Sequence, residues 1–134
     1  MTKSEKENYT PVHLGRRSVD AVDVVDLIPW RGGDITVSLG CNEFTSLCPV
    51  TGQPDFGELK IIYMPKKSLV ETKSLKLYLL KFRDKGVFSE VLVDQIANEL
   101  WSQIHPKWLV VKGEFNSRGG IGIEVKAERG DSGI

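Results

Sequence analysis

The 134-residue sequence is poor in metal-binding and disulfide-forming residues, with two cysteines and two histidines. Two cysteines cannot frame a disulfide scaffold in a chain of this size. They suit a reducing cytoplasm, where a free thiol stays reactive. A zinc site needs more ligands than a Cys41–Cys48 pair supplies, and His13 and His105 stand far apart, so no metal is expected. Charge of one sign is not in excess either: Lys plus Arg and Asp plus Glu number 18 each, and the net charge is zero. A dedicated nucleic-acid binder carries a basic surplus, so no direct nucleic-acid partner is expected. No apolar run is long enough to span a bilayer, which gives no reason to expect a membrane partner. The charged first residues, Met1 to Asn8, lack the apolar stretch of a secretory signal, and a cytoplasmic location is the expectation. No Gly-x-Gly-x-x-Gly follows a strand-like run, which excludes a Rossmann site.

Hydrophobic residues make up 40% and charged residues 27%, the balance of a chain that folds around one core. Residues 1–30 show no sustained periodicity and read as an N-terminal arm, either packed on a neighbour or disordered. Residues 31–134 read as a single domain. Ile35, Val37 and Leu39 alternate as in a half-buried strand. A loop rich in Pro, Gly, Asn and Asp follows over 41–57. Leu59–Met64 reads as a second strand, stopped at Pro65. Leu75, Leu79 and Phe82 share one face of a helix over 72–83. A second helix, over about 88–104, carries a stripe of Phe88, Leu92, Ile96 and Leu100, widened by Val91 and Ile104 and ended before Pro106. Trp108–Lys112 and Ile121–Ala127 read as two further strands around the turn Asn116–Gly120. The order is ββααββ, an α+β class with an antiparallel sheet and two helices on one face. Such a sheet leaves its other face and its edges uncovered, which favours assembly of several copies into a closed barrel.

The residues that carry chemistry lie in two runs and one turn. Cys48 opens Cys48-Pro49-Val50-Thr51-Gly52-Gln53-Pro54-Asp55-Phe56. It reads either as a small buried hydrophobe or, because it lies in a polar loop outside any apolar period, as a reactive thiol. Asp55 either shapes the turn after Pro54 or acts as a proton donor. A carboxyl beside a thiolate keeps its proton longer, and a thiolate attacking a nitrile needs such an acid at the developing nitrogen anion. Glu71 begins the second run, Glu71-Thr72-Lys73-Ser74-Leu75-Lys76-Leu77-Tyr78. It is either a carboxylate favoured by the helix N-terminus or an acceptor for two N–H groups of a purine-like edge. Glu90, at the start of the second helix, carries the same two readings. Lys73 and Lys76 form either a solvated helix face or, with Arg118-Gly119-Gly120, a set of phosphate ligands.

These motifs resemble the single-domain 7-cyano-7-deazaguanine (preQ0) reductases, the NADPH-dependent nitrile reductases of queuosine biosynthesis. The resemblance rests on Glu71–Tyr78, with Thr72 the one deviation, on Cys-Pro…Thr-Gly-Gln-Pro-Asp-Phe, and on Phe-Asn-Ser-Arg-Gly-Gly, and covers roughly residues 41–128. It implies a tunnelling fold, whose ββααββ units form rings with sites at subunit boundaries, here as a homo-oligomer of pentameric rings stacked as a decamer. It implies preQ0 as substrate and NADPH as cofactor. Cys48 would form a covalent thioimide and Asp55 would be the general acid. Val70, Glu71 and Thr72, with Ser89 and Glu90, would hold the deazaguanine ring. Thr72, Lys73, Ser74, Lys76, Arg118 and Gly119 would contact the cofactor. The family usually has His where this chain has Ser89; serine hydrogen-bonds but does not titrate near neutral pH, so weaker substrate binding or slower reduction is expected. Two alternatives stand beside this reading: an archaeosine-type amidinotransferase acting on preQ0-modified tRNA, and a non-catalytic ring-forming scaffold.

Overall fold

A computed structural model describes residues 20–133. The elements are β1 (Leu27–Pro29), β2 (Val37–Leu47), β3 (Pro54–Met64), β4 (Ser68–Val70), α1 (Thr72–Leu80), α2 (Ser89–Ile104), β5 (Trp108–Arg118) and β6 (Ile121–Gly130). Four long strands form one antiparallel sheet in the order β2-β3-β5-β6, and β1 pairs with β4 in a second, two-stranded sheet. The expected ββααββ order and α+β class therefore hold for the main sheet.

Alternation decides which face of the sheet is covered. Leu59, Ile61 and Tyr63 of β3 and Leu109, Val111 and Phe115 of β5 belong to the core, while Glu58 and Lys60 between them are exposed. The helices close that face: Leu75, Tyr78 and Leu79 of α1, followed by Phe82, and Leu92, Val93, Ile96, Ala97 and Leu100 of α2 join the same cluster. The sheet edges are β2 and β6.

Four expectations change on folding. The loop over 41–57 is mostly strand: β2 continues to Leu47 and β3 starts at Pro54, with a register shift between Cys41 and Phe44. Backbone pairing overrides the turn-like composition, and Pro54, as the first residue of its strand, lacks only an N–H that the ladder tolerates losing there. The first helix ends at Leu80, after which Lys81, Phe82 and Arg83 continue in tight i→i+3 turns that still bury Phe82. Phe88 and Val91 are 57% and 55% exposed, outside the α2 stripe, which runs instead through Leu92, Val93, Ile96, Ala97, Leu100 and Ile104. Phe88 precedes the helix as its N-cap, and Val91 is turned away from the sheet. Finally, the described part of the expected arm packs on its own domain. Val25 is buried, Val25 N–H donates to Gln103 Oε1 (2.8 Å), and β1 follows immediately. The end of α2 matches expectation: His105 takes a left-handed φ of 50° just before Pro106.

Candidate active site

β2 delivers Cys48 to one end of the main sheet. The connection to β3 closes on itself, since Cys48 N–H donates to Gln53 C=O (2.8 Å) and Gly52 N–H to Cys48 C=O (2.9 Å). Gly52 adopts φ 71°, a conformation that favours glycine. The loop is also tied to the segment before α2: Leu47 N–H donates to Lys85 C=O and Val87 N–H to Leu47 C=O, making a parallel bridge between Leu47 and Gly86. Ser89 and Glu90 follow two and three residues after Val87, so the start of α2 lies at the same end as Cys48. Ser89 is half-buried and Glu90 exposed in the first turn, where the helix N-terminus favours a carboxylate.

The Cys48 thiol is half-buried and free. Its pKa is held below the ordinary thiol value. The Thr51 side chain contributes most, followed by the backbone N–H groups of Thr51 and Val50; partial burial opposes them and the charge of Arg118 adds to them. Asp55 stands across the hairpin on β3, its Cα opposite Ser46, and its carboxylate is half-buried. Arg118, the last residue of β5, places Nε 2.8 Å from Asp55 Oδ1 and donates from Nη2 to Pro54 C=O. Gly119 and Gly120 follow with φ 58° and 82° and turn the chain into β6. Cys48, Asp55, Arg118, Gly119, Ser89 and Glu90 thus share one end of the molecule.

Val70, Glu71 and Thr72 lie elsewhere. Val70 is buried and its N–H donates to Tyr63 Oη (3.0 Å). Tyr63 is eight positions from Asp55 along β3 (63 − 55), or roughly 26 Å at about 3.3 Å per residue. Glu71 is buried and caps α1, its carboxylate accepting from Lys73 N–H and Ser74 N–H, both at 2.7 Å. Ser74 is fully buried. Its hydroxyl donates to Glu71 C=O and accepts from Asp26 N–H, both at 2.8 Å, so it fits a clamp on the β1 segment and not a cofactor contact. Thr72 and Lys76 are exposed and line a cavity of about 510 Å³ between α1 and the bulged part of β2, with Leu75 and Leu79 in its wall and Arg83 beside them. Lys73, on the same turn, is half-buried. An apolar wall with two cations and a hydroxyl suits a phosphorylated cofactor, so Thr72 and Lys76 fit the group and Ser74 does not.

Cys41 sits in β2 opposite Leu59, in the wall of that cavity. Seven positions of mostly extended chain separate it from Cys48 (48 − 41), about 20 Å, far beyond the reach of a disulfide. No group of three or more His, Cys, Asp or Glu able to hold a metal occurs among the described residues. Two contributions escape the sequence reading. Thr51 carries no role in the motif reading, although a hydroxyl three residues after a cysteine in a tight turn is a usable signal. The Arg118–Asp55 pair has no sequence signal at all, because 63 residues separate its members (118 − 55).

A family profile described as "QueF-like protein" matches residues 54–133, with Cys48 just outside the match. The chain is similar to the NADPH-dependent 7-cyano-7-deazaguanine reductase of Anaeromyxobacter dehalogenans (strain 2CP-C), 44% identical over 103 residues, covering 77% of this chain and 84% of that protein. It is similar to the protein of the same name from Bacteroides thetaiotaomicron, 50% identical over 100 residues, 75% of this chain and 66% of that one. A third of that name, from Helicobacter pylori (strain Shi470), is 52% identical over 91 residues, 68% of this chain and 62% of that one. Among solved structures, an archaeosine synthase QueF-Like in the apo form shares the fold, with a TM-score of 0.67 at 22% identity, covering 72% of this chain and 94% of that one.

Proposed function

The chain belongs to the family of QueF-like proteins, and we propose that it catalyses the NADPH-dependent reduction of the nitrile of 7-cyano-7-deazaguanine to the aminomethyl group of 7-aminomethyl-7-deazaguanine, in queuosine biosynthesis. One observation carries the reading: a thiol with a lowered pKa, Cys48, shares a hairpin with the carboxyl of Asp55.

In the first step the Cys48 thiolate attacks the nitrile carbon. A C–S bond forms, one C–N π bond opens, its electron pair moves to nitrogen, and Asp55 delivers a proton there to give a thioimide. Ser89 and Glu90, at the start of α2, are the ring-binding groups nearest this thiol. NADPH, when bound, supplies hydride; nitrile and amine differ by four electrons, so two cofactor molecules are used per product. Thr72 and Lys76 at the α1 cavity are the residues that suit its phosphates.

Val70, Glu71 and Thr72 lie too far from Cys48 to share a pocket with it inside one protomer. A site that uses both sets therefore draws them from two protomers. The edges of the main sheet, β6 and β2 short of its bridged end at Leu47, offer the surfaces for such a ring, and the pentameric rings stacked as a decamer that the resemblance implies are the assembly we propose. No helix of the described residues is long and apolar enough to cross a membrane. The two free thiols suit a cytoplasmic enzyme. Relatives at 44–52% identity that are named as reductases favour this activity over the amidine-forming one, since the 22% likeness to the archaeosine synthase bears on the fold alone.

The test mixes reduced protein with preQ0 and NADPH and follows NADPH oxidation together with protein mass. Two NADPH oxidised per amine formed is the expected outcome. An adduct at Cys48 without oxidation turns the reading toward the amidine-forming route, and neither signal leaves the scaffold.

A further inference from the structure

Resting on the reductase reading, we propose that Arg118 is a positioning residue for the proton donor: it holds Asp55 in the orientation from which the carboxyl protonates the nitrile nitrogen. The resemblance implies a different use for Arg118, as a ligand of the cofactor. The geometry points to work on Asp55 that requires no cofactor.

One planar guanidinium makes both contacts. Nε lies 2.8 Å from Asp55 Oδ1, and Nη2 donates to the carbonyl of Pro54, the residue just before Asp55. A rigid fork that grips a carboxylate and its own backbone at once fixes the rotation of the side chain as well as its place. Arg118 is itself anchored. It closes β5 after a register shift, its Cα opposite Ile121 across the two-glycine turn. The pair joins β3 to β5 at the end of the sheet where Cys48 stands. With Oδ1 engaged by Nε, Oδ2 is the oxygen left to deliver the proton to the substrate. When that proton moves to the nitrile nitrogen, as the C–S bond forms and the C–N π pair shifts to nitrogen, it leaves a carboxylate behind. The guanidinium already in place meets that new negative charge without reorganisation.

The two uses of Arg118 separate cleanly without cofactor. A group that only binds the cofactor has no effect on thioimide formation when none is present, whereas a group that aims Asp55 does. The experiment measures the rate of the preQ0 adduct at Cys48 by mass in the absence of NADPH. It also measures iodoacetamide alkylation of Cys48, which needs the thiolate but no acid. Arg118→Ala is expected to slow adduct formation by about 10- to 100-fold, the scale of a misplaced catalytic group, while alkylation falls far less. Arg118→Lys, which restores the charge, is expected to recover part of the adduct rate. An Arg118→Ala adduct rate equal to wild type, with only the KM for NADPH raised, overturns the assignment in favour of a cofactor ligand. Equal losses of adduct and alkylation rates overturn it too, because Arg118 would then act through the thiol. If Arg118→Ala does not fold, Arg118→Gln and Arg118→Lys give the same comparison. An absence of adduct in the wild-type chain, with alkylation normal, overturns the reductase reading itself and this assignment with it.

Discussion

A thiol becomes a nucleophile when its surroundings favour the thiolate, and at Cys48 the first of those surroundings is the Thr51 hydroxyl. The sign follows directly. A lowered pKa keeps the reactive thiolate populated at lower pH, so removing a hydrogen bond that favours it must move the titration up. Thr51→Val is expected to shift the midpoint of the pH–rate profile for Cys48 alkylation to higher pH and to slow alkylation near neutrality. The shift is partial, because the backbone N–H groups of Thr51 and Val50 and the charge of Arg118 remain. A profile that coincides with wild type would assign the effect to the backbone N–H groups and Arg118. At this scale the sequence is legible where chemistry is local. Cys48, Asp55 and Thr51 lie within one short run, and a thiol in a polar turn already reads as reactive. Ser74 is not legible in this way. It stands between Lys73 and Leu75, with Lys76 next, yet its hydroxyl is turned inward to the backbone of Glu71 and Asp26, a partner 48 residues away.

The elements show why that hydroxyl is buried. The Glu71 carboxylate caps α1, Glu71 N–H donates to Asp26 C=O, and Asp26 N–H donates back to the Ser74 hydroxyl inside the first turn, so two hydrogen bonds join the segment around β1 to the start of the helix. Ser74→Ala leaves Asp26 N–H without this acceptor, and a buried unsatisfied donor costs about 1–3 kcal/mol. We expect a lower Tm by thermal denaturation of about that free-energy scale; an unchanged Tm would return Ser74 to the cofactor set. A second junction holds α1 to α2. Glu99 accepts from Tyr78 Oη (2.8 Å), Lys81 Nζ (2.6 Å) and Gln95 Nε2 (2.9 Å). Burial pushes the Glu99 pKa up, but the bonds from Lys81, Gln95 and Tyr78 outweigh it, and the net direction is down. A carboxyl whose folded pKa lies below its unfolded one adds stability that is present above the unfolded value and is lost as pH falls through the folded one. Glu99→Gln is therefore expected to flatten the acid limb of the stability–pH curve, read from denaturant midpoints between neutral and acid pH. The effect is modest, because about a third of the side chain stays exposed to solvent. An acid limb as steep as wild type would show that other carboxylates set it. The α1 stripe, the α2 positions Leu92, Ile96, Leu100 and Ile104 and the centres of the four long strands were legible from periodicity, whereas Phe88, Val91 and Ile35 fall outside them and are exposed. The β2 extension was not, because pairing with β3 outweighs a run of residues that in isolation favours turns.

For the whole molecule the decisive quantity is a distance. Roughly 26 Å of strand lies between Asp55 and Tyr63, which holds Val70 and with it the start of α1. If the two halves of the site meet across protomers, two inactive variants complement each other. Cys48→Ala removes the proposed nucleophile and Lys76→Glu opposes the phosphates proposed to bind there, and each alone is expected to lose turnover. Dissociated and reassembled together in equal amounts, they should regain up to about a quarter of wild-type activity, the share of boundaries at which random mixing joins an intact half from each. No recovery in a mixture whose native mass shows mixed oligomers would place both halves in one protomer. The sequence by itself determined the class of the fold, since hydrophobic period is a local property, and it determined the family and marked Cys48 and Asp55 as the proposed nucleophile and acid, since those are carried by short contiguous runs. Only the tertiary structure decided that Arg118 faces Asp55, that Glu71 caps its own helix while Ser74 ties the β1 segment to it, and that Cys48 and the start of α1 lie apart. Each of these depends on which distant residues the sheet register brings together, and register is a property of paired strands that no single run of residues contains.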